Sequence, residues 1–175
     1  MNVLFYAAAA VAVISTLMVI TRSNAVHALL YLVVSFLAVA VVFFLLGAPF
    51  IAALEVIIYA GAIMVLFVFV VMMVQVGGPR PPQQPWMHLR AWAGPVLLSL
   101  VLLGEFLYVL TARGIHPLRP AEVPPKVIGL SLFSTYLLGV ELGAMLLLAA
   151  VVGAFRLGRQ RQKPIHRYFA GEETK

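Results

Sequence analysis

The sequence predicts an all-α integral membrane protein with five transmembrane helices, the N-terminus outside, the C-terminus inside and a long third helix. Three observations carry that prediction. Hydrophobic residues make up 63% of the 175-residue chain and charged residues 10%, whereas roughly a quarter of an ordinary soluble chain is charged. Five apolar runs reach the length of about 20 residues that a bilayer crossing requires. These runs are apolar on every side and rich in Leu, Val and Ala, unlike the alternating segments of about 10 residues that build membrane barrels.

The first helix spans Met1 to Thr21. No basic segment precedes its apolar run, and the first positive charge, Arg22, comes after it. That order argues against a secretory signal peptide and for an N-terminus left outside. The second helix spans Ala25 to Leu46, and Ser23 and Asn24 before it suit its N-terminal cap. Gly47-Ala48-Pro49 then closes the second helix and opens the third, because glycine favours a C-terminal cap and proline a first helical turn. The third helix, Phe50 to Val76, is longer than a bilayer needs.

The connection beginning "GGPRPPQQPW" at Gly77 carries four prolines, a composition that favours extended, irregular chain. The fourth helix spans Ala91 to Thr111. A second Pro-rich connection, Ala112 to Ile128, leads into the fifth helix at about Gly129 to Phe155. From Arg156 to Lys175 runs a basic tail, expected in the cytoplasm and too short and polar to form a domain. The chain thus reads as one membrane domain spanning residues 1–175. It shows no internal repeat, which argues against transporter folds built from duplicated halves.

Basic residues support this topology. Arg22, Arg80, Arg90, Arg156, Arg159, Arg161, Lys163, Arg167 and Lys175 fall inside, against Arg113, Arg119 and Lys126 outside. That asymmetry follows the positive-inside rule. The net charge of +6 therefore reports orientation and contact with anionic lipid. No folded domain remains to present a basic face to nucleic acid.

The chemistry available is narrow. With no cysteine, the chain can form neither disulfides nor cysteine-ligated clusters. His27, His88, His116 and His166 lie at helix ends, in connections or in the tail, so no pair is placed to hold a haem within the bilayer. No cluster has metal-ligand spacing and no phosphate-binding glycine loop occurs. No redox or hydrolytic centre and no bound cofactor is expected in this chain.

Three glutamates remain within the spans: Glu55, Glu105 and Glu141. A charge at mid-bilayer costs about 2.5–3.5 kcal/mol on insertion scales, which the aliphatic residues of each span offset. An intramembrane acid is nevertheless a functional candidate by default. Glu105 lies about two turns from the outer end of the fourth helix, within reach of the interface; a structural and a protonic role weigh equally. Glu141 lies deeper, on a face shared with Ser134, Leu138 and Met145. Gly139 and Gly143 form a small-xxx-small pair on the opposite face, suited to close approach of another helix. Glu55 opens the third helix with Tyr59 one turn on, and from spacing alone it reads best as an interfacial residue. Ala60-Gly61-Ala62 is a weak point in a long helix. It admits a π-bulge, although a close helix crossing at Gly61 fits the pattern better.

At this point the sequence resembles a known family. "LEVIIYAGAIMVLFVFVVMMV", from Leu54 to Val74, with five helices and a long third span, resembles the J subunits of bacterial proton-pumping NADH:quinone oxidoreductase, respiratory complex I. These are equivalent to subunit 6 of mitochondrial NADH dehydrogenase. The resemblance covers most of the five-helix body, and its specific part is E-x-x-x-Y-A-G-A-I-x-V-L-F-x-F. It implies a π-bulge just after Tyr59, reaching about Val65, in a segment containing Gly61 and Met64 that rotates between bulged and regular helix. Tyr59 is then expected beside a hydrated acidic path for protons, with Glu55 at the start of the motif.

The resemblance further implies FMN and iron–sulfur clusters in partner subunits only. The expected partners are the small glutamate-bearing subunit, the quinone-cavity subunit and the antiporter-like subunits, with lipid around them, in the bacterial inner membrane. Coupling of quinone reduction to proton translocation is the function implied. A purely structural packing subunit and a stand-alone small ion transporter are the alternatives.

Overall fold

The computed structural model describes residues 2–76, 89–111 and 122–159. The chain forms helices α1 (Asn2–Thr21), α2 (Ala25–Leu45), α3 (Pro49–Leu54), a π-helical segment (Glu55–Ile63), α4 (Met64–Val76), α5 (Leu89–Thr111), α6 (Pro125–Leu132) and α7 (Leu137–Gly158). Among the described residues there is no strand. Among the described residues five helices are long and apolar enough to cross a bilayer: Val3–Thr21, Ala25–Leu45, Pro49–Val74, Trp92–Thr111 and Leu137–Gly158. The third of these is α3, the π segment and α4 joined end to end. The Pro-rich connection at 77–88, residues 112–121 and the tail beyond Arg159 lie outside the described residues, with His88, His116 and His166 in them.

The helix ends follow local chemistry. Asn24 caps α2, its side-chain oxygen accepting from the Val26 N–H at 2.9 Å. At the other end of α2, Gly47 takes φ 83°. Its N–H reaches the Phe44 carbonyl, and the Ala48 N–H reaches that of Phe43, both at 3.0 Å. This pair of bonds is the Schellman arrangement, which a left-handed glycine permits. Pro49 then starts α3 at a position where its missing N–H costs nothing. The Gly47 carbonyl accepts the Val123 N–H at 2.9 Å, pinning the chain just before α6.

The chain divides into two compact units, Met1–Pro125 and Lys126–Lys175. In the first, α1, α2 and α5 share a core. Val11, Val34, Ala38 and Leu102 form its apolar cluster, with Ala12, Leu37 and Leu98 packed around it. A hydroxyl layer lies beside this cluster. Thr16 and Ser35 hydroxyls meet at 2.8 Å, Ser35 also donates to the Ala12 carbonyl, and the buried Ser15 donates to the Val11 carbonyl. The third span packs against α2.

The second unit differs from the single fifth helix expected over 129–155. Residues Phe133 to Tyr136 form a turn between α6 and α7. Ser131 and Ser134 donate their hydroxyls to the Ile128 and Leu130 carbonyls, competing with the helical backbone. The Tyr136 N–H bonds the Ser131 carbonyl five residues back, so the coil widens before α7 restarts. Ser134 consequently does not share a helix with Leu138, Glu141 and Met145, as a single helix would have placed it.

Candidate functional site

The third span carries the strongest local anomaly of the fold. Its backbone is α-helical through Leu54, π-helical over Glu55–Ile63, and α-helical again from Met64. The Glu55 N–H still reaches the Ile51 carbonyl four residues back. The Met64 N–H instead reaches the Tyr59 carbonyl five residues back and the Gly61 carbonyl three back. One residue is thus accommodated beyond what a regular helix would hold, an arrangement that recurs at functional sites.

Gly61 explains why the widened turn fits here. A Cβ built at Gly61 would stand 3.1 Å from the Val56 carbonyl oxygen, the group that lies one π-turn before it. That is tighter than ordinary carbon–oxygen contact, and glycine removes the crowding. Among the described residues of this chain no other helix comes within 4 Å of that position.

The side chains divide into one buried residue and others that are exposed or half-buried. Met64 is 1% exposed. None of the nine π residues is buried. Tyr59 is 46% exposed, and its ring leans on Phe36 of α2 with 5.4 Å between centroids. Glu55 is half-buried and Val65 is exposed. The family resemblance implies a bulge from Tyr59 to about Val65. The structure starts it one turn earlier, at Glu55, and ends it at Ile63, so Met64 and Val65 belong to the regular helix beyond.

Glu105 stands differently from its expectation. Its place two turns from the end of the fourth helix allows it to reach the membrane interface, yet it is 7% exposed and neither carboxylate oxygen has a hydrogen-bond partner. Its face on α5 accounts for this: it follows Leu98 and Leu102 at helical spacing, on the side that packs against α1 and α2. That spacing was the available signal. Glu141 is exposed on α7, as are Leu138 and Met145. Gly139 is exposed and Gly143 half-buried, and a Cβ on either would meet no atom of its own unit within 4 Å. Among the described residues no three His, Asp or Glu side chains gather where a metal would sit.

Comparison with known proteins places the π segment inside a recognised family. The family model described as NADH-ubiquinone/plastoquinone oxidoreductase chain 6 matches residues 15–157. NADH-quinone oxidoreductase subunit J of Pseudomonas aeruginosa is 55% identical over 166 residues, covering 93% of this chain and 99% of that one. The subunit J of Escherichia coli strain K12 is 47% identical over 163 residues, covering 93% and 89%. That of Buchnera aphidicola subsp. Schizaphis graminum is 44% identical over 163 residues, covering 93% and 100%. With a match over most of its length and relatives at these identities, the chain belongs to the NADH-ubiquinone/plastoquinone oxidoreductase chain 6 family, which includes the bacterial J subunits.

Proposed function

We propose that the chain couples quinone reduction to proton translocation in the membrane arm of a bacterial NADH:quinone oxidoreductase, through interconversion of the third span between π-helical and regular forms. The supporting observation is a π segment that carries Tyr59 half-exposed and ends at the buried Met64. Met64 is the fixed end and the unburied stretch before it is the moving one. Removing one residue from the widened turn rotates the segment on one side by about 100° and shifts it by about 1.5 Å. Such a rotation carries the Tyr59 hydroxyl into or out of a water file, while Glu55 marks the far end of the segment.

In this reading the chain contributes no redox centre, and FMN and iron–sulfur clusters belong to partner subunits. The exposed face of the π segment and the Gly139–Gly143 face meet other membrane subunits. Its neighbours are the small glutamate-bearing subunit, the quinone-cavity subunit and the antiporter-like subunits. The assembly sits in the inner membrane with the N-terminus of this chain outside. A packing role is the second reading, favoured by α7, none of whose residues is buried.

Tyr59→Phe separates the two. A packing subunit tolerates loss of one hydroxyl, so quinone-linked NADH oxidation and proton yield would match the parent. The coupling role predicts that both fall together, in a complex that assembles normally and still passes electrons from NADH to artificial acceptors.

A further inference from the structure

The acid at position 105 has no partner in the fold that buries it. Pro95, Leu98, Leu102 and Glu105 follow one another at spacings of three and four residues, the stripe that a helix turns toward its core. Glu105 occupies the end of this stripe. Its carboxylate lies beside the backbone of the fully buried Ala8 on α1, without a hydrogen bond of acceptable geometry. An ionised carboxylate left buried and unpaired costs several kcal/mol, so the group is either neutral or hydrated.

The buried side chains that α1 and α2 contribute to the core next to it are apolar. On α1, Ala8 lies beside the acid, Val11 is buried one turn further on, and Tyr6 is largely exposed. On α2, Val34 and Ala38 face the same core. The ionisable groups of that helix, His27 and Tyr31, are at its other end, where His27 meets Trp92 and Tyr31 meets Arg22 and Gly94. Gly94 precedes Glu105 by 11 residues of α5, or about 16 Å of helix. On α5 itself Tyr108 is exposed.

Along their helices Val11, Ala38 and Leu102 of the apolar cluster separate the acid from the Ser15–Thr16–Ser35 hydroxyls. Those hydroxyls are already engaged with one another and with the carbonyls of Val11 and Ala12. They offer the acid nothing, and the apolar layer closes the site on that side.

The geometry points to Glu105 as a proton-binding site inside the α1–α2–α5 bundle, distinct from the third span. One carboxylate oxygen takes a single proton from water and returns it to water during turnover. The apolar layer prevents the proton from leaving toward Tyr31 and Arg22. This rests on membership of the family, and not on the third-span switch.

The test uses the assembled complex in proteoliposomes. Infrared difference spectra between resting and turning-over complex should show the C=O band of a protonated carboxyl, and Glu105→Gln should lose that band. Proton yield per NADH should fall in the same variant, and Glu105→Leu should show the same two losses. An unchanged band and an unchanged proton yield in Glu105→Gln would overturn the proposal. Failure of Glu105→Gln to assemble while Glu105→Asp assembles would also overturn it, because the negative charge would then be a structural requirement.

Discussion

Gly94 on α5 faces the hydroxyl of Tyr31 on α2 with no room for a methyl group between them. Tyr31 is 2% exposed, so its ring has no free space into which to swing. The same hydroxyl accepts from Arg22 at 3.4 Å, and the Arg22 guanidinium lies 5.3 Å from the ring centroid. The close approach of α2 and α5 therefore depends on the absence of one side chain.

Gly94→Ala should accordingly destabilise the bundle by about 1–3 kcal/mol, the usual cost of forced overpacking. The measurable result is a lower amount of assembled complex and a lower melting temperature of what assembles. Tyr31→Phe in the same chain removes the hydroxyl that the methyl would strike and should restore part of the loss. Equal stability of Gly94→Ala and the parent would mean that the helices separate there without cost.

Orientation gives a second prediction. Because the chain has no cysteine, Ser23→Cys and Ala48→Cys each introduce a single thiol into it, one at either end of α2. The basic asymmetry predicts residue 23 inside and residue 48 outside. An impermeant thiol reagent should label Ala48→Cys from the outer face and Ser23→Cys only from the inner face. Labelling of both from one side would reject the five-span topology.

The Gly139–Gly143 face gives a third. It is open within its own unit, and a small-xxx-small pair suits a close crossing with a helix of another subunit. Gly143→Leu should reduce incorporation into the complex, read as the ratio of assembled to free chain after mild detergent extraction. Full incorporation would assign this face to lipid.

Local chemistry made some of this structure legible in the sequence, and tertiary context hid the rest. Asn24 and Gly47-Ala48-Pro49 act on backbone groups within five residues, so their roles as cap and breaker follow from residue type alone. The widened turn over Glu55–Ile63 is different. An all-apolar helix has no amphipathic stripe, so hydrophobic periodicity cannot distinguish a bond spanning four residues from one spanning five. The family motif indicated a bulge, but its start at Glu55 depends on Gly61 clearing the Val56 carbonyl. The burial of Glu105 follows from the stripe of Leu98 and Leu102 before it, which its height in the bilayer alone does not reveal. The division at 133–136 was hidden in an apolar run, where Ser131 and Ser134 draw carbonyls away from the helix.

The most direct measurement concerns Gly61. Alanine there places a methyl against the Val56 carbonyl of the π form, and in a regular helix it is favoured over glycine by about 1 kcal/mol. Both effects shift the third span toward the regular form. Quinone-linked and acceptor-linked NADH oxidation should be recorded in the same membranes carrying Gly61→Ala, with proton uptake measured alongside. Coupling through the π segment predicts normal assembly, unchanged acceptor-linked oxidation, and quinone-linked oxidation and proton uptake that fall together. Parental values for all three activities, in a complex whose third span has become regular, would contradict it.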